Sequence, residues 1–398
     1  MDLVSRAVVN HHLRVGYFAS ALATEAGLPE EAQRDLLVAG LLHDAGALSL
    51  KSRLDALQFE SDGLAHAEAG YRLLRPYPRL QRVAEYVRLH HTPYRELGAD
   101  GEWVPEETGI LTLADRIDVL IDRGVPVRMQ VEDIRRRIKA QAGRMLDPAH
   151  VDLFLRYGAD SEFWVGAEQP DRQLREMTTP SLQRELLGLD EVLTLSGLFS
   201  RIIDFRSRFT STHSSGVAEC ATVLARMVGF AGEEQKLMRV AGNLHDLGKL
   251  AVPAEILDKP GPLDTKEWRI MRDHAYYTQQ VLSDLPGLES IAKWAGEHHE
   301  RLDGQGYPHG MGKWELSMGS RIVAVADVFT AVTEDRPYRS GMNRNGVLAV
   351  LEELSGVALD QEVVQLLRDH YEEINALRRT AQEKAAHAFA VFDASEDA

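Results

Sequence analysis

At 398 residues the chain is long enough for two or three domains, each able to bury about two-thirds of its unfolded surface. With 44% apolar and 27% charged residues it reads as a soluble globular protein, and a formal charge of −16 argues against long nucleic acid held through phosphate contacts. A single cysteine, Cys220, excludes an internal disulfide framework and suits a reducing compartment. The polar start Met1-Asp2-Leu3-Val4-Ser5-Arg6 is no signal peptide, and no apolar run approaches a membrane span, so a cytoplasmic location without membrane association is expected.

From the start of the chain, apolar residues recur at helical spacing. Val15, Phe18 and Leu22 follow i, i+3, i+7, and so do Val217, Cys220 and Leu224. Pro and Gly gather between such runs, at Pro76-Tyr77-Pro78, Pro260-Gly261-Pro262 and from Asp303 to Pro308. Strict alternation is short and rare, so the predicted fold class is all-α. A first unit covers residues 1–165, and the polar, Pro-containing stretch 166–180 reads as a linker. The second unit, 181–377, opens on a helix from Ser181 to Asp204, and 378–398 reads as a helix fraying into an acidic tail.

Within this organisation lies an internal repeat. His11 and His43 are 32 residues apart, as are His213 and His245, and His43-Asp44-Ala45-Gly46 parallels His245-Asp246-Leu247-Gly248. His66 precedes His90-His91 by 24 residues, as His274 precedes His298-His299, and Ala114-Asp115 parallels Ala326-Asp327. Leu146-Asp147 and Leu359-Asp360 each introduce an apolar helix. The offset grows from 202 to 208 to 212, so the second copy carries two insertions. Any one of these histidines taken alone is more readily a satisfied core or surface group. Ten of the fifteen histidines in two matched, ordered sets are not explained that way.

Imidazoles and carboxylates together suit Zn, Mn, Fe or Ni. In the second copy, His213, His245, Asp246, His274, His298, His299 and Asp327 are too many for one ion and about right for two. Two ions about 3.5–4 Å apart form a device for phosphoester hydrolysis, activating a bridging water and stabilising phosphoryl charge. Asp246 is placed to bridge them, and Lys249 to meet a phosphate oxygen. The run Arg135-Arg136-Arg137 reads as a solvated helix face.

Three segments now carry a resemblance: His245-Asp246-x-Gly248-Lys249; His298-His299-Glu300-x-x-Asp303-Gly304-x-Gly306-Tyr307-Pro308; and Val325-Ala326-Asp327-Val328-Phe329 with Asp335-Arg336-Pro337-Tyr338-Arg339 after it. Over roughly residues 195 to 375 the chain resembles the HD-GYP domain, a branch of the HD phosphohydrolase superfamily. The resemblance implies a metal-dependent phosphodiesterase that cleaves cyclic di-GMP to the linear dinucleotide pGpG or on to GMP. It implies one ion on His213, His245 and Asp327, another on His274, His298 and His299, and Asp246 between them. Gly306 and Tyr307 would shape the substrate loop, and Arg336 and Arg339 are candidates for contacts to guanine or phosphate. Members with three ions add a carboxylate before the first histidine; Phe209 stands one turn before His213 and Asp204 is the nearest upstream acid, so two divalent ions are expected. Thr330 stands where the family often has Asp. The open alternatives are a catalytically quiet module signalling through protein contacts, for instance to GGDEF diguanylate cyclases or in a homodimer, and a phosphohydrolase of another nucleotide.

The N-terminal copy resembles the wider HD superfamily, not HD-GYP. It offers His11, His43, Asp44, His66, His90, His91 and Asp115 as a second metal site. Ala47 replaces Lys249, however, and Thr92-Pro93-Tyr94-Arg95-Glu96-Leu97 replaces the Gly-Tyr-Pro loop. Metal binding without cleavage of cyclic di-GMP is the expectation, with a regulatory or dimerising role as open as a catalytic one.

Overall fold

The computed structural model describes residues 10–47, 64–98, 104–178, 187–205, 211–259, 261–335 and 340–393. Among these residues the fold is all-α: no β-strand forms, only isolated bridges such as Asp303 with Gly312. None of the described helices is long and apolar enough to cross a membrane. Two compact units divide between residues 186 and 187.

The first unit runs through α1 (His11–Glu25), α2 (Glu30–Leu42), α3 (Leu64–Leu74), α4 (Gln81–Leu89), α5 (Thr108–Val119), α6 (Val131–Lys139), α7 (Pro148–Tyr157), α8 (Ser161–Glu168) and α9 (Pro170–Thr178). Helix α1 packs between α2 and α5, and its Val15, Phe18 and Leu22 are wholly buried. Phe18 stacks on Phe163 of α8 at 5.1 Å between ring centroids, an aromatic contact that ties the end of the unit to its start. At the α1–α2 crossing a Cβ on Gly40 would lie 2.6 Å from Gly16 Cα, so this approach is open only to glycine.

Of the stretch 166–180, polar enough to read as a linker, residues 166–168 and 170–178 are helical, and 179–180 lie outside the described residues. Pro170 opens α9, where its missing N–H costs nothing, and Arg175 pairs with Asp171 and Arg172 with Glu176 at i,i+4 on the exposed face. Leu174 is buried and α9 packs on α1, so one apolar residue per two turns suffices to dock it. Of the arginine run, Arg136 is exposed beside Asp133, whereas Arg135 donates to the Leu155 carbonyl at 2.8 Å.

The second unit comprises α10 (Leu189–Asp204), α11 (His213–Val228), α12 (Gly232–Leu244), α13 (Ala254–Leu257), α14 (Thr265–Ser283), α15 (Glu289–Gly296), α16 (Met318–Thr333), α17 (Arg344–Leu354), α18 (Gln361–Asp369) and α19 (Tyr371–Asp393). Residues 181–186 lie outside the described residues, and the opening helix begins at Leu189 and not at the predicted Ser181, because Gly188 caps it in extended backbone with its N–H donating to Glu191 at 2.9 Å. Helix α11 packs on α12 and α16 with Val217, Cys220 and Leu224 fully buried, and a Cβ on Gly242 would lie 2.5 Å from Ala218 Cα. Burial pushes the Cys220 thiol pKa up to about 12, which leaves it an inert core group. Thr330 is buried beside it, with Oγ1 3.9 Å from the sulfur, so this position serves the core.

The two Leu-Asp pairs share one local cause. Asp147 accepts the Ala149 N–H at 2.7 Å and Asp360 accepts those of Glu362 and Val363 at 3.0 and 3.3 Å, capping α7 and α18. Helix α19 continues unbroken past residue 378 to Asp393. Its Arg378 is 5% exposed and its Gln382 bonds both Glu334 and the Thr212 carbonyl, so the first turns of this stretch are docked on the second unit. Residues 394–398 lie outside the described residues.

Candidate metal centres

Helix ends deliver most of the histidines, and His274 projects from the middle of α14. His213 opens α11, and His245 directly follows α12. Three of these rings are fixed by a carbonyl three residues back: His245 Nδ1 to Gly242 O at 2.8 Å, His274 Nδ1 to Met271 O and His298 Nδ1 to Ala295 O, both at 2.6 Å. A carbonyl only accepts, so Nδ1 carries the proton and each Nε2 presents a lone pair inward. His213 is held differently, its Nδ1 lying 3.0 Å from the Glu334 carboxylate. Glu334 is in turn bonded by Gln382.

The inward atoms converge. His213 Nε2 lies 3.1 Å from Asp327 Oδ1, and His274 Nε2 lies 3.4 Å from His298 Nε2. Asp246 turns one oxygen to each side: Oδ2 is 3.2 Å from His245 Nε2 and Oδ1 is 3.4 Å from His274 Nε2. His299 Nδ1 sits 3.9 Å from Asp327 Oδ2. Metal bonds of about 2.0–2.2 Å place neighbouring ligand atoms roughly 3.0–3.5 Å apart, so most of these separations are already those of a coordination shell. His245 Nε2 is buried and makes no hydrogen bond, an acceptor awaiting a partner. The donor set therefore fits divalent ions of the imidazole-and-carboxylate class.

Electrostatics agree with the geometry. Burial would depress the His213 pKa, but the Glu334 and Asp327 carboxylates raise it to about 10, the mark of a cavity that attracts positive charge. Burial likewise opposes ionisation of Asp246, yet His245 and Lys249 hold its carboxyl well below the usual range. Burial lowers the His299 pKa to about 3, keeping that ring neutral and able to ligate. Lys249 Nζ donates to Asp246 Oδ2 at 2.6 Å while remaining partly exposed at the rim.

Glu300 organises the loop beyond the paired histidines. Its carboxylate accepts the N–H groups of His309, Gly310 and Met311 at 2.6, 3.2 and 2.9 Å. A Cβ on Gly306 would lie 2.4 Å from Glu300 Cα, so the loop can close over Glu300 only with glycine there. Tyr307 is thereby laid against the centre: its N–H donates to His299 O at 3.2 Å, the two rings are 4.7 Å apart, and the Arg272 guanidinium lies 4.6 Å over the Tyr307 ring.

Arg336, Arg339 and Phe209 fall outside the described residues. Asp204 is buried with both oxygens bonded to Ser214, at 3.0 Å from its N–H and 2.6 Å from its hydroxyl, and burial raises its pKa to about 7. Sequence reasoning missed Glu334, Arg272 and Gln382. Glu334 was within reach, since it stands seven residues, two helical turns, beyond Asp327.

The first unit gathers its own set. His11 Nε2 and His43 Nε2 are 3.1 Å apart, and Asp44 Oδ2 lies 3.5 and 3.4 Å from them. Asp115 Oδ1 is 3.7 Å from both rings, and His66 Nε2 is 3.2 Å from Asp44 Oδ1. His43 and His90 use the same carbonyl lock, Nδ1 to Gly40 O at 2.9 Å and to Val87 O at 2.6 Å. Asp118 takes the part of Glu334, 2.6 Å from His11 Nδ1. Ala47, at the Lys249 position, is buried.

Paired helical bundles with a histidine at the head of one helix, His-Asp after the next and a later Asp define a class, and residues 8–120 and 197–363 each match the HD domain. The chain belongs to the HD-domain family, as a tandem of two HD domains of which the second is of HD-GYP type. It is 32% identical over 382 residues to the 3′3′-cGAMP-specific phosphodiesterase 1 of Vibrio cholerae, covering 92% of this chain and 88% of that protein. It is 34% identical over 206 residues to a cyclic di-GMP phosphodiesterase response regulator of Xanthomonas campestris, covering 50% and 54%. A crystal structure of a cyclic GMP-AMP specific phosphodiesterase of V. cholerae is similar with a TM-score of 0.61 at 26% identity, covering 96% of this chain and 94% of that one.

Proposed function

We propose that the second HD domain is a metal-dependent phosphodiesterase that opens a bacterial cyclic dinucleotide to its linear form, and that 3′3′-cGAMP is preferred over cyclic di-GMP. The observation that carries the reading is the largely buried seven-residue centre in which Asp246 turns one oxygen to each of two imidazole groups. His213, His245 and Asp327 would hold one divalent ion, His274, His298 and His299 a second, with Asp246 shared. Such a pair supplies an acidified water and charge neutralisation at the phosphoryl oxygens.

The chain's own residues set the rest. Glu334 and the backbone carbonyls three residues before each ring fix ring orientation, so the lone pairs need no reorganisation on binding. Lys249, at the rim on Asp246, would meet a non-bridging phosphoryl oxygen, a role that its partial exposure beside the centre supports. Tyr307, held between the His299 ring and the Arg272 guanidinium, would line the substrate's approach to the centre. The choice of 3′3′-cGAMP is supported by the relative of that name spanning both domains, whereas the cyclic di-GMP relative described above aligns with half the chain. The test is kcat/KM for each dinucleotide with the metal-loaded full chain, following the linear product. A higher value for 3′3′-cGAMP is expected. A preference for cyclic di-GMP would overturn the substrate and keep the reaction; hydrolysis of neither would overturn both.

A further inference from the structure

Arg116 has no counterpart in the second domain, where Val328 follows Asp327. Its guanidinium is buried, 1% exposed, inside the first domain's histidine cluster. Nε and Nη2 donate to Asp115 Oδ2 at 3.0 and 2.6 Å, and Nη2 donates to His91 Nδ1 at 2.9 Å. In the second domain the equivalent atoms, Asp327 Oδ2 and His299 Nδ1, are 3.9 Å apart with 11% and 29% of their side chains exposed.

A guanidinium donates and never accepts, so His91 Nδ1 must be the acceptor and its ring proton must sit on Nε2. That N–H points at His66 Nε2, 3.0 Å away. Arg116 therefore withdraws two ligands at once: His91 has no lone pair left to offer, and the lone pair of His66 is taken. The charges tell the same story. Asp44, Asp115 and Asp118 are accompanied by three guanidinium groups, Arg116 on Asp115 and both Arg14 and Arg123 on Asp118. Asp246, Asp327 and Glu334 are accompanied, among the described residues, by Lys249 bonded to Asp246 and by Arg378 acting on Glu334 through its charge. Arg14 stands where the second domain has Gly216 and Arg123 where it has Asp335. What remains in the first domain is the set His11, His43, Asp44 and Asp115 Oδ1, with five mutual separations from 3.1 to 3.7 Å, together with the buried, unbonded Nε2 of His90.

We infer that the first HD domain is a mononuclear centre in which the Arg116 guanidinium takes the place of the second metal ion. One divalent ion binds on the His11, His43, Asp44 and Asp115 side. The other side is filled by a fixed organic cation that satisfies Asp115 and His91 and closes the face left open in the second domain. This goes beyond the proposed function, which concerns the other centre.

The experiment counts metal in the full chain, loaded with Mn²⁺ and desalted, and reads its EPR spectrum. Removing the first domain's site by H43A together with D44A should lower the content by one equivalent and remove an isolated, six-line Mn²⁺ signal. Arg116→Val, which installs the second domain's residue and frees His66 and His91, should raise the content by one equivalent and replace that signal by a spin-coupled one. Loss of two equivalents in the first variant, or of none, overturns the inference. So does an Arg116→Val protein that keeps a cooperative thermal transition but gains no ion. Should that variant fail to fold, the isolated signal in the unaltered chain and its loss with His43 and Asp44 still decide. Failure of the phosphodiesterase reading would change the total content or the activity and leave these differences standing.

Discussion

Glu334 and Lys249 show what individual side chains add to a ligand set. Glu334 bonds the Nδ1 of His213 and so fixes which nitrogen faces inward. Glu334→Ala should weaken metal binding in the second domain by roughly 10–100-fold, read by chelator competition, with Glu334→Gln intermediate because it keeps a hydrogen bond and loses the charge. Unchanged affinity in both would make Glu334 a packing residue. Lys249→Ala should keep the metal and lower kcat/KM about tenfold or more, roughly 1.4 kcal/mol of transition-state stabilisation. Equal kinetics would confine the lysine to neutralising Asp246. At this scale the sequence is legible where chemistry recurs in order: two sets of five histidines cannot be read as scattered core groups. Arg116 was not legible, because a charge inside a helix looks like solvated surface until its partners are placed; Glu334 could have been found only by its spacing from Asp327.

Two elements carry consequences of their own. On α7, His150 is buried with Nδ1 unbonded, against a glycine whose Cβ would lie 2.6 Å from that nitrogen. Burial lowers its pKa below 6.5, so the folded state binds fewer protons than the unfolded state in that window. Stability contributed by the neutral ring is thus present near neutrality and lost as pH falls below about 6.5 through the lowered folded pKa. His150→Leu should make the melting temperature less sensitive to acid, and parallel wild-type and variant curves between pH 5 and 7 would refute the assignment. Helix α19 makes the second case. A stop after Leu377 removes buried Arg378 and the Gln382 bonds to Glu334 and Thr212. The truncated chain should lose about 1–3 kcal/mol in denaturant melts and bind metal in the second domain more weakly; an unaltered melt would return the segment to the status of a tail. Helices built on i, i+3, i+7 apolar spacing were legible in advance. Helix α9 and the continuation of α19 were not, since each is docked by only one or two buried side chains in a polar context.

At the scale of the molecule, the two domains share one constellation and part in what surrounds it. Lys249 and the glycine-dependent loop stand over one centre, Ala47 and Arg116 over the other. In the full chain, Asp246→Ala should abolish cyclic dinucleotide hydrolysis while Asp44→Ala leaves cleavage by the second domain in place, as read by product chromatography. Loss of activity in both would mean that turnover needs both centres. The tandem itself was legible from the constant 32- and 24-residue spacings, whereas the position of the division was not, because the helix across 170–178 has the composition of a connector.

Gly40 and Gly242 stand three residues before each His-Asp pair, at the points where neighbouring helix backbones touch. Each also supplies the carbonyl that orients the following histidine. Depth of a helix crossing and aim of a ligand are thereby coupled through one atom group: a larger residue would separate the helices and swing the carbonyl with them. Chemistry above that hinge can drift, as it has between the two copies, without disturbing it. Decayed relatives of this unit that have lost their histidines should therefore be traceable by the glycine at the crossing, which answers to the fold and is indifferent to the reaction.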